Sequence, residues 1–195
     1  VNYASGQLSG IAGQGWNING ISKITRINTR LDIDGFIDGV DFDDNDKLAL
    51  DGQRLIIKSG TYWADGTIYQ TEIQSNLKIQ QFGAGANIYF IVTMPDRTKN
   101  FYCNYSGNNA TEISTYFLVR TEDTDGNFII YDYLRPLNAS LCINNIQFSA
   151  NINSNPTPLN KIHFVYEEAS RTENTYINGT QITKKERLKR IEVIT

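Results

Sequence analysis

The chain of 195 residues is short of the side chains that most enzymes use: one histidine, one methionine, two cysteines and four prolines. The lone imidazole, His163, excludes a histidine-rich zinc site built from this chain alone. In "KIHFVYEE" it alternates with Ile162 and Phe164, which is the setting of a sheet-face residue rather than of a catalytic base. No serine lies in a nucleophile-elbow pattern, and no glycine loop has the spacing that cradles phosphates, so hydrolase and nucleotide-transfer readings lose their support. Cys103 and Cys142 are too few for a disulfide framework and read as ordinary thiols.

Long apolar runs are missing as well. None approaches the roughly 20 residues that a membrane-crossing helix needs, so no membrane span is expected. No charged-then-apolar leader precedes Asn2, but the chain starts at Val1 and has its only methionine at Met94, which points to a fragment of a longer protein. Charge of one sign is not in excess: 18 Lys plus Arg stand against 21 Asp plus Glu, for a net charge of -3 and a pI near 5.2. That balance argues against a dedicated nucleic-acid binder. Only "KKERLKR", residues 184–190, is locally basic, and it reads as a solvated face or strand end. The sequons at Asn104, Asn109, Asn138 and Asn178 carry no weight in a chain so rich in Asn.

What the sequence does have is tyrosine, phenylalanine and glycine, with 11, 9 and 15 copies. Short alternations of aromatic and β-branched residues recur in "TIYQTEIQ", "NIYFIVTM", "STYFLVRTE", "NFIIYDYL", "KIHFVYEE" and "KRIEVIT". Between them stand the turn pairs Asn19-Gly20, Asp51-Gly52, Asp65-Gly66, Asp125-Gly126 and Asn178-Gly179. The pattern predicts an all-β chain of mainly antiparallel sheets and hairpins, organised as a single β domain over residues 1–195. "SANINSNPTPLN", residues 149–160, has the composition of a long loop.

Carboxylates are the remaining chemical resource. "DGVDFDDNDKLALDGQRLI", residues 38–56, puts five aspartates into its first nine positions. Asp41, Asp43 and Asn45 fit the first three ligand positions of a hand-like calcium loop, but Asp46 stands where that loop needs Gly and Gly52 where it needs Glu. A looser calcium site on Asp41, Asp43 and Asn45 is the one metal candidate, and no cofactor is expected. Asp43, Asp44 and Asp46, or Glu167 with Glu168, would have to supply an opposed pair for glycoside hydrolysis, and neighbouring strand residues point to opposite faces. The architectural alternative is an acidic turn whose side chains bond their own backbone ahead of the Asp51-Gly52 hairpin. No catalytic residue is assigned. A further alternative is a free-standing binding module that recognises glycan or protein through exposed aromatics such as Trp16, Trp63 and Tyr62.

Three segments in order, "YASGQLSGIAGQGWNINGISKITR", the aspartate stretch above and "DGTIYQTEIQSNLKIQQFG", resemble the N-terminal region shared by the Salmonella virulence plasmid B-protein family and the B components of insecticidal toxin complexes, within the wider Rhs and YD-repeat proteins. "EDTDGNFIIYDYL" and "RLKRIEV" are similar to later segments of that family. The resemblance implies structural roles for Gly13, Gly15, Trp16, Asp46, Asp51, Gly52, Gln53, Arg54, Gly126, Asn127 and Tyr131. It also implies a non-enzymatic piece of a YD-repeat-type β shell around a toxic cargo domain, in a secreted or surface-exposed bacterial virulence protein. The partners it implies are the rest of the same polypeptide, the enclosed toxin domain and other toxin-complex proteins. Cut sheet edges would add a tendency to self-associate.

Overall fold

The computed structural model describes residues 2–3, 9–10, 12–14, 16–18, 20–104, 114–138 and 140–195. The chain forms two compact units. The first comprises Val1–Ile21, Gly126–Tyr176 and Gln181–Thr195; the second comprises Ser22–Asp125 and Ile177–Thr180. In the first unit, β1 (Asn2–Tyr3) pairs antiparallel with β4 (Trp16–Asn17), and β2 (Ser9–Gly10) with β3 (Gly13–Gln14).

The second unit is an antiparallel barrel of eight strands. They are β5 (Lys23–Ile27), β6 (Lys47–Leu50), β7 (Gln53–Ser59), β8 (Ile68–Thr71), β9 (Lys78–Phe82), β10 (Tyr89–Thr93), β11 (Lys99–Cys103) and β12 (Thr115–Glu122). Each pairs with the next. The register Thr115↔Thr25, Tyr116↔Ile24 and Phe117↔Lys23 joins the last strand to the first, so no barrel strand is left with an open edge. Alternation decides what fills it. On β10, Phe90 and Val92 turn inward, and on β9 Ile79 and Gln81 do so. With Ile24, Leu48, Leu55, Tyr69, Tyr102 and Tyr116 they form a core in which each side chain is at most 1% exposed. The Phe90 and Tyr116 rings meet edge-to-face at 4.8 Å between centroids, a geometry that aromatic quadrupoles favour. The interior is packed with side chains, as a small barrel requires.

The long strands are β13 (Asn127–Leu134), β14 (Cys142–Asn151), β15 (Asn160–Ile177) and β16 (Thr180–Ile194), which belong to the first unit except for Ile177 and Thr180 at the tip of the last hairpin. They follow one another in an antiparallel meander. β16 is its terminal strand. The last two run to 18 and 15 residues, longer than any alternation legible in the sequence. The basic run 184–190 lies within β16, and residues 149–151 of the expected loop belong to β14.

The turn pairs behave as their chemistry dictates. Leu50 faces Gln53 across a two-residue hairpin loop in which Asp51 has φ 49° and Gly52 φ 83°. Positive φ at both positions is the twist-compatible hairpin turn that Asp-Gly and Asn-Gly favour. Asn178 (φ 45°) and Gly179 (φ 71°) repeat it between β15 and β16. Asn19 lies outside the described residues.

Candidate functional site

The aspartate stretch is built around a buried ion pair. On β5, Ile24 and Arg26 share the inward face, so the barrel core receives a guanidinium as well as an aliphatic side chain. A buried charge needs a partner, and Arg26 Nη1 lies 2.8 Å from Asp46 Oδ2, with side-chain exposures of 9% and 0%. The same nitrogen donates to the Asp43 carbonyl at 2.7 Å. The guanidinium sits 4.3 Å from the centre of the Trp63 ring, a cation–π contact, and the Trp63 Nε1–H donates to the Asp46 carbonyl at 3.1 Å. Asp46 also accepts the backbone N–H groups of Asp41 (3.2 Å) and Phe42 (2.9 Å). One carboxylate therefore neutralises a core arginine and pins the loop that leads to it.

The network continues through neutral groups. Trp63 N–H donates to the Tyr69 hydroxyl at 3.1 Å, which donates to Gln81 Oε1 at 2.8 Å. Gln81 Nε2 returns to the Trp63 carbonyl at 2.7 Å. Burial pushes the Tyr69 phenol up to about 12. The Tyr62 hydroxyl accepts the Leu48 N–H at 2.6 Å, and burial holds its phenol far above its ordinary range. A second buried pair joins Arg54 to Asp34, and Arg54 Nη1 donates to the Asn28 carbonyl at 3.0 Å.

Around this hub the exposed aspartates bond their own backbone. Asp43 Oδ1 accepts the Asn45 N–H at 2.7 Å. Asp41 Oδ1 stands 3.4 Å from the Asp43 N–H. Of the calcium candidates, Asp41 and Asp43 gather with Asp38, their carboxylate oxygens lying within 4.8 Å of one another. Asn45 Nδ2 donates to Asp43 Oδ2 at 2.9 Å. Partial desolvation, together with the neighbouring charges of Asp43, Asp38 and Asp46, raises the carboxyl of Asp41 above its ordinary value.

The other residues singled out from the sequence fall in several places. Asp51 holds the turn, and its carboxylate accepts the Lys23 N–H at 2.9 Å. Gly52 and Gln53 complete that hairpin, and Arg54 is the buried ion-pair residue. Gly13 lies in β3, Trp16 is an exposed residue of β4, and Gly15 lies outside the described residues. At Gly126 (φ 82°) a Cβ would stand 2.7 Å from Ile152 Cγ1. Asn127 opens β13 and accepts Asn151 Nδ2 at 3.0 Å, and Tyr131 pairs with Ile146 along that strand. The aromatic platform is a correction. Trp63 is only 9% exposed and Tyr62 is half-buried, both tied into the network above, so these two rings stabilise the barrel instead of presenting a surface.

In the first unit His163 pairs across the sheet with Asn145, Nδ1 lying 3.0 Å from its Oδ1. Glu186, buried, accepts the Ser140 hydroxyl and the Lys185 N–H (2.9 Å), with Cys142 Sγ at 3.7 Å. Both cysteines are free thiols, and burial raises each of them. The sequence reading missed Arg26, Asp34, Trp63 and Gln81 as members of the buried polar set. The signal was present for Arg26 and Gln81, each two residues from an isoleucine on the inward face of a strand. Among the described residues, no helix is long and apolar enough to cross a membrane.

No known family profile matches the chain, and no curated protein matches it. Solved structures do. The N-terminal domain of effector protein SpvB from Salmonella typhimurium strain LT2 superposes with a TM-score of 0.72 at 17% identity, over 98% of this chain and 80% of that one. The TcdB2-TccC3-Cdc42 structure matches with a TM-score of 0.75 at 14% identity, over 98% of this chain and 12% of that one. The Tc holotoxin pore of Photorhabdus luminescens gives a TM-score of 0.74 at 13% identity, with the same two coverages. At these identities the likeness is one of fold. The chain shares the all-β fold of these effector and toxin structures, spanning four-fifths of the effector domain and about an eighth of the Tc chains.

Proposed function

We propose that the chain is a non-catalytic structural module of a toxin-related Rhs or YD-repeat protein, contributing to a β shell around a toxic cargo domain. The observation that carries the reading is the fold match over 98% of the chain to both an effector's N-terminal domain and Tc toxin components. The motif order of residues 3–26, 38–56 and 65–83 supports it. So does the chemistry of the buried polar groups: inside the barrel unit Arg26 pairs with Asp46, Arg54 with Asp34, and Gln81 bonds Tyr69 and Trp63, as structural groups do. Glu167 and Glu168 are neighbours on β15 and so lie on opposite faces, and Glu167 is bound to Arg187, an arrangement that does not serve two-carboxylate hydrolysis. The partners that follow are the remainder of the polypeptide, the enclosed cargo and other toxin-complex proteins. The location is secreted or at the bacterial surface.

Intact-mass measurement and peptide mapping of the native protein test this. The expected result is many further tyrosine-rich repeats and a distinct C-terminal domain following residue 195. A native chain that ends near Thr195 would leave no shell for this module to join.

A further inference from the structure

Residues 31–37 of the barrel unit are arranged inside out. The one-turn helix α1 (Leu31–Asp34) sends Asp34 inward to Arg54, while Leu31 and Ile33 are 63% and 41% exposed. Gly35, at φ 80°, closes the turn by donating to the Leu31 carbonyl at 3.2 Å. Phe36 and Ile37 then follow at 40% and 77% exposure. Arg30, the residue before α1, bonds Glu72 at 3.2 Å. Burying an aspartate while exposing four large apolar side chains of one seven-residue segment is the reverse of what water alone selects.

Beside this strip lie the clustered carboxylates of Asp38, Asp41 and Asp43, with exposed Asp44 next to them. The basic groups nearby are engaged elsewhere. Arg26 is bound to Asp46 and Arg54 to Asp34, Arg30 bridges Asp32 and Glu72, and Lys47 caps the Asn45 carbonyl beneath the Phe36 and Tyr62 rings. The strip thus joins a run of exposed apolar side chains to a concentration of negative charge, and its complement is an apolar stripe flanked by positive charge.

We propose that residues 31–43 form a docking surface for a cationic amphipathic segment of a partner polypeptide. Its apolar side chains cover Leu31, Ile33, Phe36 and Ile37, and its Lys or Arg side chains face Asp38, Asp41 and Asp43. This surface stands apart from the shell reading and survives its failure.

The test titrates the full 195-residue chain with a short helical peptide carrying a leucine stripe flanked by lysines. Two control peptides have the leucines replaced by serine or the lysines by glutamate. Two exposed-site variants, Leu31→Ser with Ile37→Ser and Asp41→Asn with Asp43→Asn, are first shown to keep the parent's circular dichroism and urea midpoint. The Lys/Leu peptide is expected to bind saturably, about tenfold more weakly to each variant, and more weakly as salt rises. Both control peptides should bind at least that much more weakly. Equal binding of the Lys/Ser peptide, unchanged affinity for both variants, or no saturable binding would overturn the proposal. Sedimentation showing a dimer that Leu31→Ser with Ile37→Ser disperses would overturn it too, by assigning the strip to a second copy of the chain.

Discussion

Arg26 and Asp46 face each other at 2.8 Å inside the barrel, twenty residues apart in the chain, with Trp63 held against both of them. Removing one partner of such a pair leaves an uncompensated buried charge. Asp46→Ala should therefore lower the unfolding free energy by about 3–5 kcal/mol. Asp44 sits two residues away, is exposed, and should tolerate alanine within about 0.5 kcal/mol. Urea unfolding of the two variants separates an architectural hub from a merely acidic loop. Equal effects would remove the hub.

Gly52 makes a second prediction because its φ of 83° suits glycine and strains any β-branched residue. Gly52→Val should cost about 1–3 kcal/mol although a Cβ there meets nothing within 4 Å. The loss would come from backbone strain alone. Gly39, also in open space but without a positive φ, is the control: Gly39→Ala should be nearly neutral to the same unfolding measurement.

How much of this was legible in the sequence depends on the range over which each interaction acts. Asp51-Gly52 and Asn178-Gly179 could be read directly, since a hairpin turn is a matter of two residues and their φ angles. The alternation of "NIYFIVTM" likewise gave β10, because period two is a local property. The partner of Arg26 was not legible: its inward phase could be seen beside Ile24, but nothing local says that Asp46 closes the pair. Trp63 looked like a surface candidate because composition does not record burial, and here a buried indole N–H finds the Asp46 carbonyl. The great length of β15 and β16 escaped notice because both carry charged residues on either face, which hides the period. The inside-out α1 turn escaped too, as its single inward residue is the aspartate paired with Arg54.

Alkaline pH should destabilise the chain through its phenols. Tyr69 ionises near 12 when folded and near its ordinary value of 10.0 when unfolded, and Tyr62, Tyr116 and Tyr166 are shifted in the same direction by burial. The folded state then holds protons that the unfolded state releases. Their stabilising contribution is complete below pH 10 and is lost as pH rises through the folded values. Tyrosinate absorbance of these residues should appear together with loss of the folded circular dichroism signal, and not before it. Full ionisation of all tyrosines in a still-folded chain would refute this.

Cys142 is buried against Glu186, and its thiol is held well above the usual range, by burial first and by that carboxylate second. Because the thiolate is the reactive form, labelling by a thiol reagent at neutral pH should proceed only at the rate of structural opening. The rate for Cys142 should track denaturant concentration, with mass spectrometry locating the label. Rapid labelling in the absence of denaturant would contradict the burial described for β14.

The proposal that residues 1–195 are wall and not catalyst is open to electron cryo-microscopy of the native full-length protein. Residues 1–195 are expected to lie within the wall of a hollow β shell that encloses further polypeptide. A map in which they stand as a free domain on a linker, with no surrounding shell, would contradict it.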